Sequence, residues 1–401
     1  MPPLSFEAAQ QKILEHVTPL TAERVPLTGT AGRILAEDIC APVDLPRWDN
    51  SEMDGFAVQA ADCRPLAQLK VIDYLPAGAT AEGIMVKPGT AVRIMTGAPV
   101  PVDCDAIVPI ENTDGGRETV TIHQAVQAGD FIRYRGSDIA AGELILKTGT
   151  VLRPAEVNLL AALSLTEIRA FRKPTVAILS TGDELVAPGE TPGAGQIIDS
   201  NSYSLAAAVS DIGATPQILG IARDNRDSLT EKMTAGLAAD VLITSAGVSA
   251  GDRDLVREIL GEKGIRQLFW KVAIKPGGPT AFGLNGHKPV FSVPGNPVSS
   301  MIAFEQLIRP ALLKMMGRQD VFRSLEQATV KGSLCNETNK TRFLRVRVEK
   351  TSTGLVAESA GDQNTGILGT MIRANAIAIL SPEQGELNEG DNVAIQRLHP
   401  R

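Results

Sequence analysis

Cysteine is scarce. The 401 residues include four (Cys40, Cys63, Cys104, Cys335), far apart and with no CxxC pair, which indicates neither a thiolate zinc site nor a disulfide framework. Histidine is equally sparse and scattered (His16, His123, His287, His399), so any catalytic metal is expected to be held by oxygen ligands. No apolar run reaches the roughly 20 residues of a membrane span. The stretch MPPLSFEAAQQ lacks the basic and apolar segments of a signal peptide. Positive charge is also in deficit: 39 Lys and Arg against 46 Asp and Glu give −7 at pH 7. That balance argues against a general nucleic-acid binder, for which counterion release requires a basic face. Internal repeats and low-complexity segments are absent. We therefore expect a cytoplasmic protein with neither nucleic-acid nor membrane partners. An anionic small substrate would need a locally positive pocket, or a metal beside it.

What is present is a soluble globular composition, 43% apolar and 21% charged, on a chain long enough for roughly two to four domains. SFEAAQQKILEHVTPL places Phe6, Ala9, Ile13 and Val17 at helical spacing, with Ser5 as a cap and Pro19 as a stop. From about Leu27 to Leu165, short β-branched runs broken by Gly and Pro predict strands and turns. RPAEVNLLAALSL (Arg153–Leu165) predicts a helix with Pro154 in its first turn. From about Pro174 to Met316 the strand candidates TVAIL, QILGIA, DVLIT, FWKVAI and PVFSV alternate with helix candidates, the last of them NPVSSMIAFEQLIRPALLKMM. Such alternation predicts a parallel sheet with helices on both faces. Beyond Asp320 the texture is β again, with Leu344, Val346 and Val348 alternating against Arg345 and Arg347. A small C-terminal β-barrel or sandwich follows from that pattern.

In open α/β sheets, ligands sit beyond the carboxyl ends of the strands. Here those ends are rich in small, polar and glycine residues: STGDEL, TSAGVSAGDRD, KPGGPT and PGNPVSS. Ser245, Gly247 and Ser249 precede a helix whose free N–H groups suit an anion, although an ordinary strand-to-helix turn accounts for that loop too. Asn296 and Pro297 make a helix start that needs no functional explanation. Asp183, Glu184, Asp224, Asp252 and Asp254 all fall at or just after strand ends. Carboxylates on one rim repel unless a cation is present, and one or two carboxylates plus phosphate is how magnesium is held. The competing reading is that Asp183 and Glu184 enrich a helix first turn. Lys271 and Lys275 fall on one face of a strand, where their ammoniums would complement an oxyanion. Asp49, Glu52 and Asp54 crowd NSEMDGF, a candidate substrate loop. The residues alone reach a protein that binds a phosphate-bearing anion with magnesium, and stop short of the reaction.

Taken in order, NSEMDGFAV, RIMTGAPVPVDCDAIVPIE, RGSDI, STGDEL, DSNSYSL, SAGVSAGDRD, WKVAIKPGGPTAFG and PGNPVSS resemble the molybdopterin molybdenumtransferases, with fainter matches at FLRVRV and GDQNTGIL. That family includes the C-terminal enzyme domain of gephyrin. The resemblance spans nearly the whole chain and implies a multidomain α/β plus β protein. Its divisions would be an N-terminal helix (1–22), a β/helical linker domain (23–41 and 141–170) and a β-rich domain (42–140). A doubly wound, mostly parallel, molybdopterin-binding domain (171–318) and a small β-barrel (319–401) would follow. The implied reaction is insertion of molybdate into adenylylated molybdopterin, with magnesium-dependent release of AMP, by a homodimer whose site lies between subunits. A molybdopterin adenylyltransferase would be a partner.

Carried over by motif, the catalytic positions are Asp54, Thr96, Asp138, Glu184, Asp224, Asp254, Lys271 and Lys275. Substrate-binding positions are Thr181, Gly182, Asp183, Ser200, Ser245, Gly247, Ser249, Pro294, Gly295 and Asn296. Molybdate would draw on Lys275, Ser299, Arg345 and Thr365, and magnesium on Glu184, Asp54, Asp252 and Asp254. Three departures stand out. Gly278 occupies the place of a second lysine in the family's KPGKP, Ala246 that of a common glycine, and Thr365 that of a serine. A pocket lacking one lysine binds molybdate more weakly or recruits another cation. Two alternatives remain open: an adenylyltransferase, which needs only the α/β domain, and a divergent non-catalytic paralogue.

Overall fold

The computed structural model describes residues 2–246 and 255–398. The chain forms two compact units, one of Met1–Ala36, Gly149–Pro154 and Glu167–Arg401, the other of Glu37–Thr148 and Ala155–Thr166. Within the second, five strands form a sheet in the order Ala106–Pro109, Gly55–Val58, Thr90–Ile94, Gln68–Leu75, Thr119–Thr121. The strand Gly55–Val58 begins with a glycine for a packing reason: a Cβ on Gly55 would lie 2.1 Å from the Val108 carbonyl oxygen. Phe56 and Val58 face one apolar cluster and Ala57 the other, so both faces of this strand are covered. The helix read from Arg153 onward forms over Pro154–Ala162.

The first unit holds the α/β layer. Six strands lie in the order Thr215–Ala222, Thr175–Thr181, Val241–Ser245, Lys288–Val293, Ala281–Asn285, Arg266–Phe269. The first four run parallel. Ala281–Asn285, absent from the sequence reading, is antiparallel to both its neighbours. Helices at Asn201–Asp211, Arg226–Gly236 and Leu255–Glu262 cover the sheet. One apolar cluster takes Val176, Ile178, Ile243 and Phe291, and another takes Ala177, Leu179 and Leu242. Alternate residues of the same strands therefore serve opposite layers, which is why those runs read as continuously apolar.

The N-terminal helix forms over Phe6–Glu15, with Ser5 Oγ accepting from the Ala8 N–H and Phe6, Ala9 and Ile13 buried. The long helix read from Asn296 onward is interrupted: Pro297–Ala303 and Arg309–Met315 are α-helical and Phe304–Ile308 is a π turn. Pro310 explains the break, having no N–H to give the Gln306 carbonyl one turn back. That carbonyl accepts instead from Gln10 Nε2 at 2.8 Å.

FWKVAI, expected as one strand, divides into two. Arg266–Phe269 stays in the α/β sheet, whereas Ile274–Lys275 pairs in parallel with Thr341–Arg342. Thr341–Thr351 belongs to a closed five-stranded barrel with Gly354–Ser359, Leu325–Lys331, Asn392–Arg397 and Ala376–Leu380. Leu344, Val346 and Val348 fill the barrel interior as expected. Arg345, expected on the solvent side, is fully buried. The outer face of that strand is itself covered there, since Phe343 joins the α/β core and meets Phe6 edge-on at 5.1 Å.

Phe282 lies between Phe269 (5.7 Å) and Phe291 (4.9 Å) and is fully buried. Phe282→Ala should destabilise the α/β layer by about 3–5 kcal/mol, read as a lower denaturant midpoint by circular dichroism. An unchanged midpoint would show that this stack does not limit stability.

Candidate functional site

The parallel strands end at one edge in register, Ser180 beside Ser245 and Ser245 beside Val293. The loops that follow them enclose a cleft of about 480 Å³ whose lining includes Glu184, Ser200, Asn201, Ser245, Pro279 and Gly295. Pro294 and Asn296 also line it. Exposed Ile197 and Ile198 give it an apolar side. Thr181 is buried at its strand end. Ala246 adopts φ +76°, a left-handed conformation in which glycine carries no penalty, and its Cβ lies 3.3 Å from the Cβ position of Gly295. Gly247, Ser249, Asp252 and Asp254 lie outside the described residues.

Beneath the cleft is a polar network that the sequence reading missed. Ser180 Oγ donates to Asp199 Oδ1 at 2.9 Å, and the Ser202 N–H reaches the same oxygen at 3.1 Å. Asn201 Nδ2 donates to Ser245 Oγ (2.8 Å) and to the Gly295 carbonyl (2.7 Å). Ser180, Asp199, Asn201, Ser202 and Ser245 are almost completely buried, and their hydrogen bonds hold the strand ends and the helix start together. The available signal was the spacing of DSNS, with an acid three residues before the N–H it caps.

Asp183 and Asp224 come together: the Asp224 N–H donates to Asp183 Oδ1 at 3.1 Å. Arg223 donates to the carbonyls of Asp183 (3.3 Å) and Leu185 (2.9 Å). No helix follows Glu184. Leu185–Val186 is a short strand paired with Ile197–Ile198, which removes the helix-first-turn reading of these acids. Glu184 is exposed at the cleft. Among the described residues, no three of His, Cys, Asp and Glu converge as a metal site. Glu184 supplies one hard oxygen donor at the cleft, which fits an ion held partly by substrate.

Lys271 and Lys275 are exposed while Val272 and Ile274 are buried, as one strand face requires. Gly278 is buried; a Cβ there would lie 2.9 Å from the Ile274 carbonyl oxygen. Ser299 is buried, with its carbonyl 3.3 Å from the Cβ position of Gly277. Arg345 Nε donates to Thr370 Oγ1 (3.1 Å), and Nη2 to the carbonyls of Asp362 (3.0 Å) and Asn364 (3.1 Å). Its Nη1 is buried without a partner. Burial pushes the Arg345 pKa down, Asp362 opposes this, and Arg342 adds to it. Arg345 thus clamps the loop that carries half-buried Thr365.

The other unit joins its two motif loops. Asp54 Oδ1 accepts from both the N–H and the hydroxyl of Thr96, each at 2.7 Å. These bonds hold the Asp54 carboxyl below the usual carboxylate range. Asp138 is exposed and is tied to Leu45 through its backbone N–H at 3.0 Å. Its side chain is not brought into the Asp54–Thr96 pair.

Family models match along the chain: "MoeA N-terminal region (domain I and II)" over residues 4–164, "Probable molybdopterin binding domain" over 177–314 and "MoeA C-terminal region (domain IV)" over 327–398. Molybdopterin molybdenumtransferase 2 of Mycobacterium tuberculosis is 37% identical over 98% of this chain and 99% of its own. The molybdopterin molybdenumtransferase of Haemophilus influenzae is 33% identical, covering 98% of each chain. A molybdopterin biosynthesis MoeA protein of Pyrococcus horikoshii superposes with a TM-score of 0.86 at 30% identity, covering 100% of both chains.

A depressed pKa for Asp54 means that its bonds stabilise the fold above the usual carboxylate range, a contribution lost as pH falls through the folded value. Thr96→Val keeps the N–H donor and removes the hydroxyl. The Asp54 titration, followed by carboxyl-carbon NMR, should then move up, and the stability deficit at neutral pH should shrink in acid. A titration that stays put would rule out the hydroxyl's contribution. Gly278→Ala and Gly278→Lys should both lower the melting temperature, because each adds the crowded Cβ. Unchanged melting would show that the Ile274 carbonyl yields freely.

Proposed function

The chain belongs to the molybdopterin molybdenumtransferase family, and we propose that its step is the insertion of molybdate into adenylylated molybdopterin, with magnesium-dependent release of AMP. It is an enzyme of molybdenum-cofactor biosynthesis. The observation that carries the finer reading is the cleft at the carboxyl ends of the parallel strands, where hydroxyl, amide and apolar groups meet one exposed carboxylate. Such a lining suits a flat heterocycle bearing a phosphate.

Cleaving a phosphoanhydride leaves added negative charge on both products. Lys271 and Lys275 offset that charge electrostatically, and Lys275 draws molybdate in. Ser200, Ser245 and the Pro294–Asn296 loop position the pterin phosphate. The assignments to Gly247, Ser249, Asp252 and Asp254 enter this reading by motif alone. Magnesium would be held by Glu184 with substrate oxygens, and would withdraw charge from the bridging phosphates. The Asp54–Thr96 pair, kept ionised by its hydrogen bonds, is proposed to complete the cleft of a second subunit, so that the working form is a homodimer. Asp224 braces Asp183 from behind, and Asp138 belongs to the partner-facing loop. We place the enzyme in the cytoplasm, supplied by an adenylyltransferase. An adenylyltransferase role for this chain itself would leave the regions 4–164 and 327–398 without a purpose.

The test is AMP release from adenylylated molybdopterin with magnesium, with and without molybdate. Wild type should release AMP only when molybdate is present, and Lys275→Ala and Asp54→Ala should each lower the rate by about 10²-fold or more. Molybdate-independent release, or full activity in both variants, would overturn the reading.

A further inference from the structure

At one end of the barrel the inward positions are charged. Glu326 is paired opposite Ile395, Lys350 opposite Leu355 and Arg397 opposite Ala376. Directly paired residues share a face of a sheet, and those three partners belong to the cluster that fills the barrel or pack against it. Alternation therefore turns Glu326, Lys350 and Arg397 inward, as it does apolar Val330, Val346 and Val393 deeper in the same strands. All three lie at strand ends, within Leu325–Lys331, Thr341–Thr351 and Asn392–Arg397. With Arg309, Arg323 and Val348 they line a cavity of about 690 Å³. The mouth of a barrel is a common place for a small ligand.

Four cations meet two carboxylates there. Arg309 and Arg323 both pair with Glu305, Arg309 at 3.6 Å, and Arg397 Nε pairs with Glu326 Oε1 at 3.0 Å. Arg309 and Arg323 keep only 14% and 17% of their side chains exposed, so two largely buried guanidiniums share one carboxylate. Arg309 Nη1 donates to the Val321 carbonyl at 3.3 Å, while its Nε is buried without a hydrogen bond. Burial pushes the Arg309 pKa down, Glu305 opposes this, and Arg323 and Arg318 add to it. Lys350 is exposed and has no ion-pair or hydrogen-bond partner among the described residues. Positive charge is thus in local surplus in a chain of net charge −7, and surplus charge in a partly desolvated place is costly unless balanced.

We propose that this barrel mouth binds a small phosphate-bearing anion, with Arg309, Arg323 and Arg397 supplying guanidinium forks and Lys350 an ammonium. Guanidiniums take phosphate oxygens two at a time, and a dianion balances the surplus. The volume admits a phosphate ester as well as free phosphate. The site is remote from the strand-end lysines: Arg342, paired with Lys275, is about 25 Å from Lys350 along the strand. Arg309 belongs to the Arg309–Met315 helix and Lys350 and Arg397 to the barrel, so a bound anion clips one to the other. The site needs neither molybdate nor the cleft, and goes beyond the reaction proposed above.

The test is calorimetric titration of the full chain at fixed ionic strength with inorganic phosphate, pyrophosphate and AMP. Wild type is compared with Lys350→Ala, Glu326→Gln, Lys275→Ala and Lys331→Ala, the last removing an exposed barrel lysine that pairs with Glu358 at 3.0 Å. Because Lys350 is exposed, Lys350→Ala should keep the wild-type melting temperature in the absence of probe. At least one probe should bind wild type and raise its melting temperature. Its affinity should fall about tenfold or more in Lys350→Ala and rise in Glu326→Gln, which removes an opposing negative charge. Lys331→Ala and Lys275→Ala should bind as wild type does. Preference for AMP would identify a nucleotide as the ligand, and preference for the inorganic probes a free phosphate; each supports the proposal. Failure of every probe to bind wild type, or undiminished affinity in Lys350→Ala, would overturn it. Weaker binding by Glu326→Gln would reduce these charges to a structural network, and equal weakening in Lys331→Ala to general charge. Loss of binding in Lys275→Ala would place the anion in the cleft, and each of these three results also overturns the proposal.

Discussion

Backbone hydrogen bonds along Lys271–Lys275 are the constraint on which the rest of the larger unit depends. The Leu4 N–H donates to the Lys271 carbonyl (3.0 Å) and the Ala273 N–H to the Leu4 carbonyl (2.7 Å). Next along the segment, the Thr341 N–H donates to the Ala273 carbonyl at 3.0 Å. A segment bonded in succession to the N-terminal stretch and to the barrel cannot shift register without breaking both sets of bonds. The N-terminal helix, the α/β sheet and the barrel therefore converge on the residues that carry Lys271 and Lys275. The Val272 N–H donates to the Gly278 carbonyl at 2.9 Å, folding the glycine-rich loop back onto the same segment and bringing Pro279 to the cleft.

The cleft itself is held by polar groups rather than by apolar packing. Asp199, Ser180, Ser202, Asn201 and Ser245 are nearly inaccessible, and the bonds made by Ser180 and Ser245 tie two strand ends to the start of the Asn201–Asp211 helix. In a region of low dielectric such bonds are strong and unpaired groups are costly, so the network specifies one geometry. Apolar residues behind it, such as Leu179 and Phe291, supply stability and little direction.

Acidic and basic side chains differ here in how far they are paired. The carboxylates near the strand ends are occupied by local work: Asp183 receives the Asp224 N–H, Asp199 receives Ser180, and Asp54 receives Thr96. Glu184 stays exposed at the cleft. The cations Lys271, Lys275 and Arg342 lie along one run of backbone and its barrel neighbour.

Local pattern was enough for the N-terminal helix with its Ser5 cap, the parallel strands with their polar ends, the alternation of the barrel strand and the pairing of Lys271 with Lys275 on one face. Each of these follows from a short-range period or a cap, and short-range physics is written in adjacent residues. The sequence by itself also determined the family, because many short motifs in one order leave few other folds. Tertiary structure alone decided which face of a strand was covered and by what. Arg345 is buried where residues 362–370 fold over its strand, and Ile274–Lys275 joins the barrel because Thr341–Arg342 offers a free edge. The Gln306 carbonyl that Pro310 leaves open is completed by Gln10, almost three hundred residues away. Such contacts depend on which distant surfaces meet, and no local period records them.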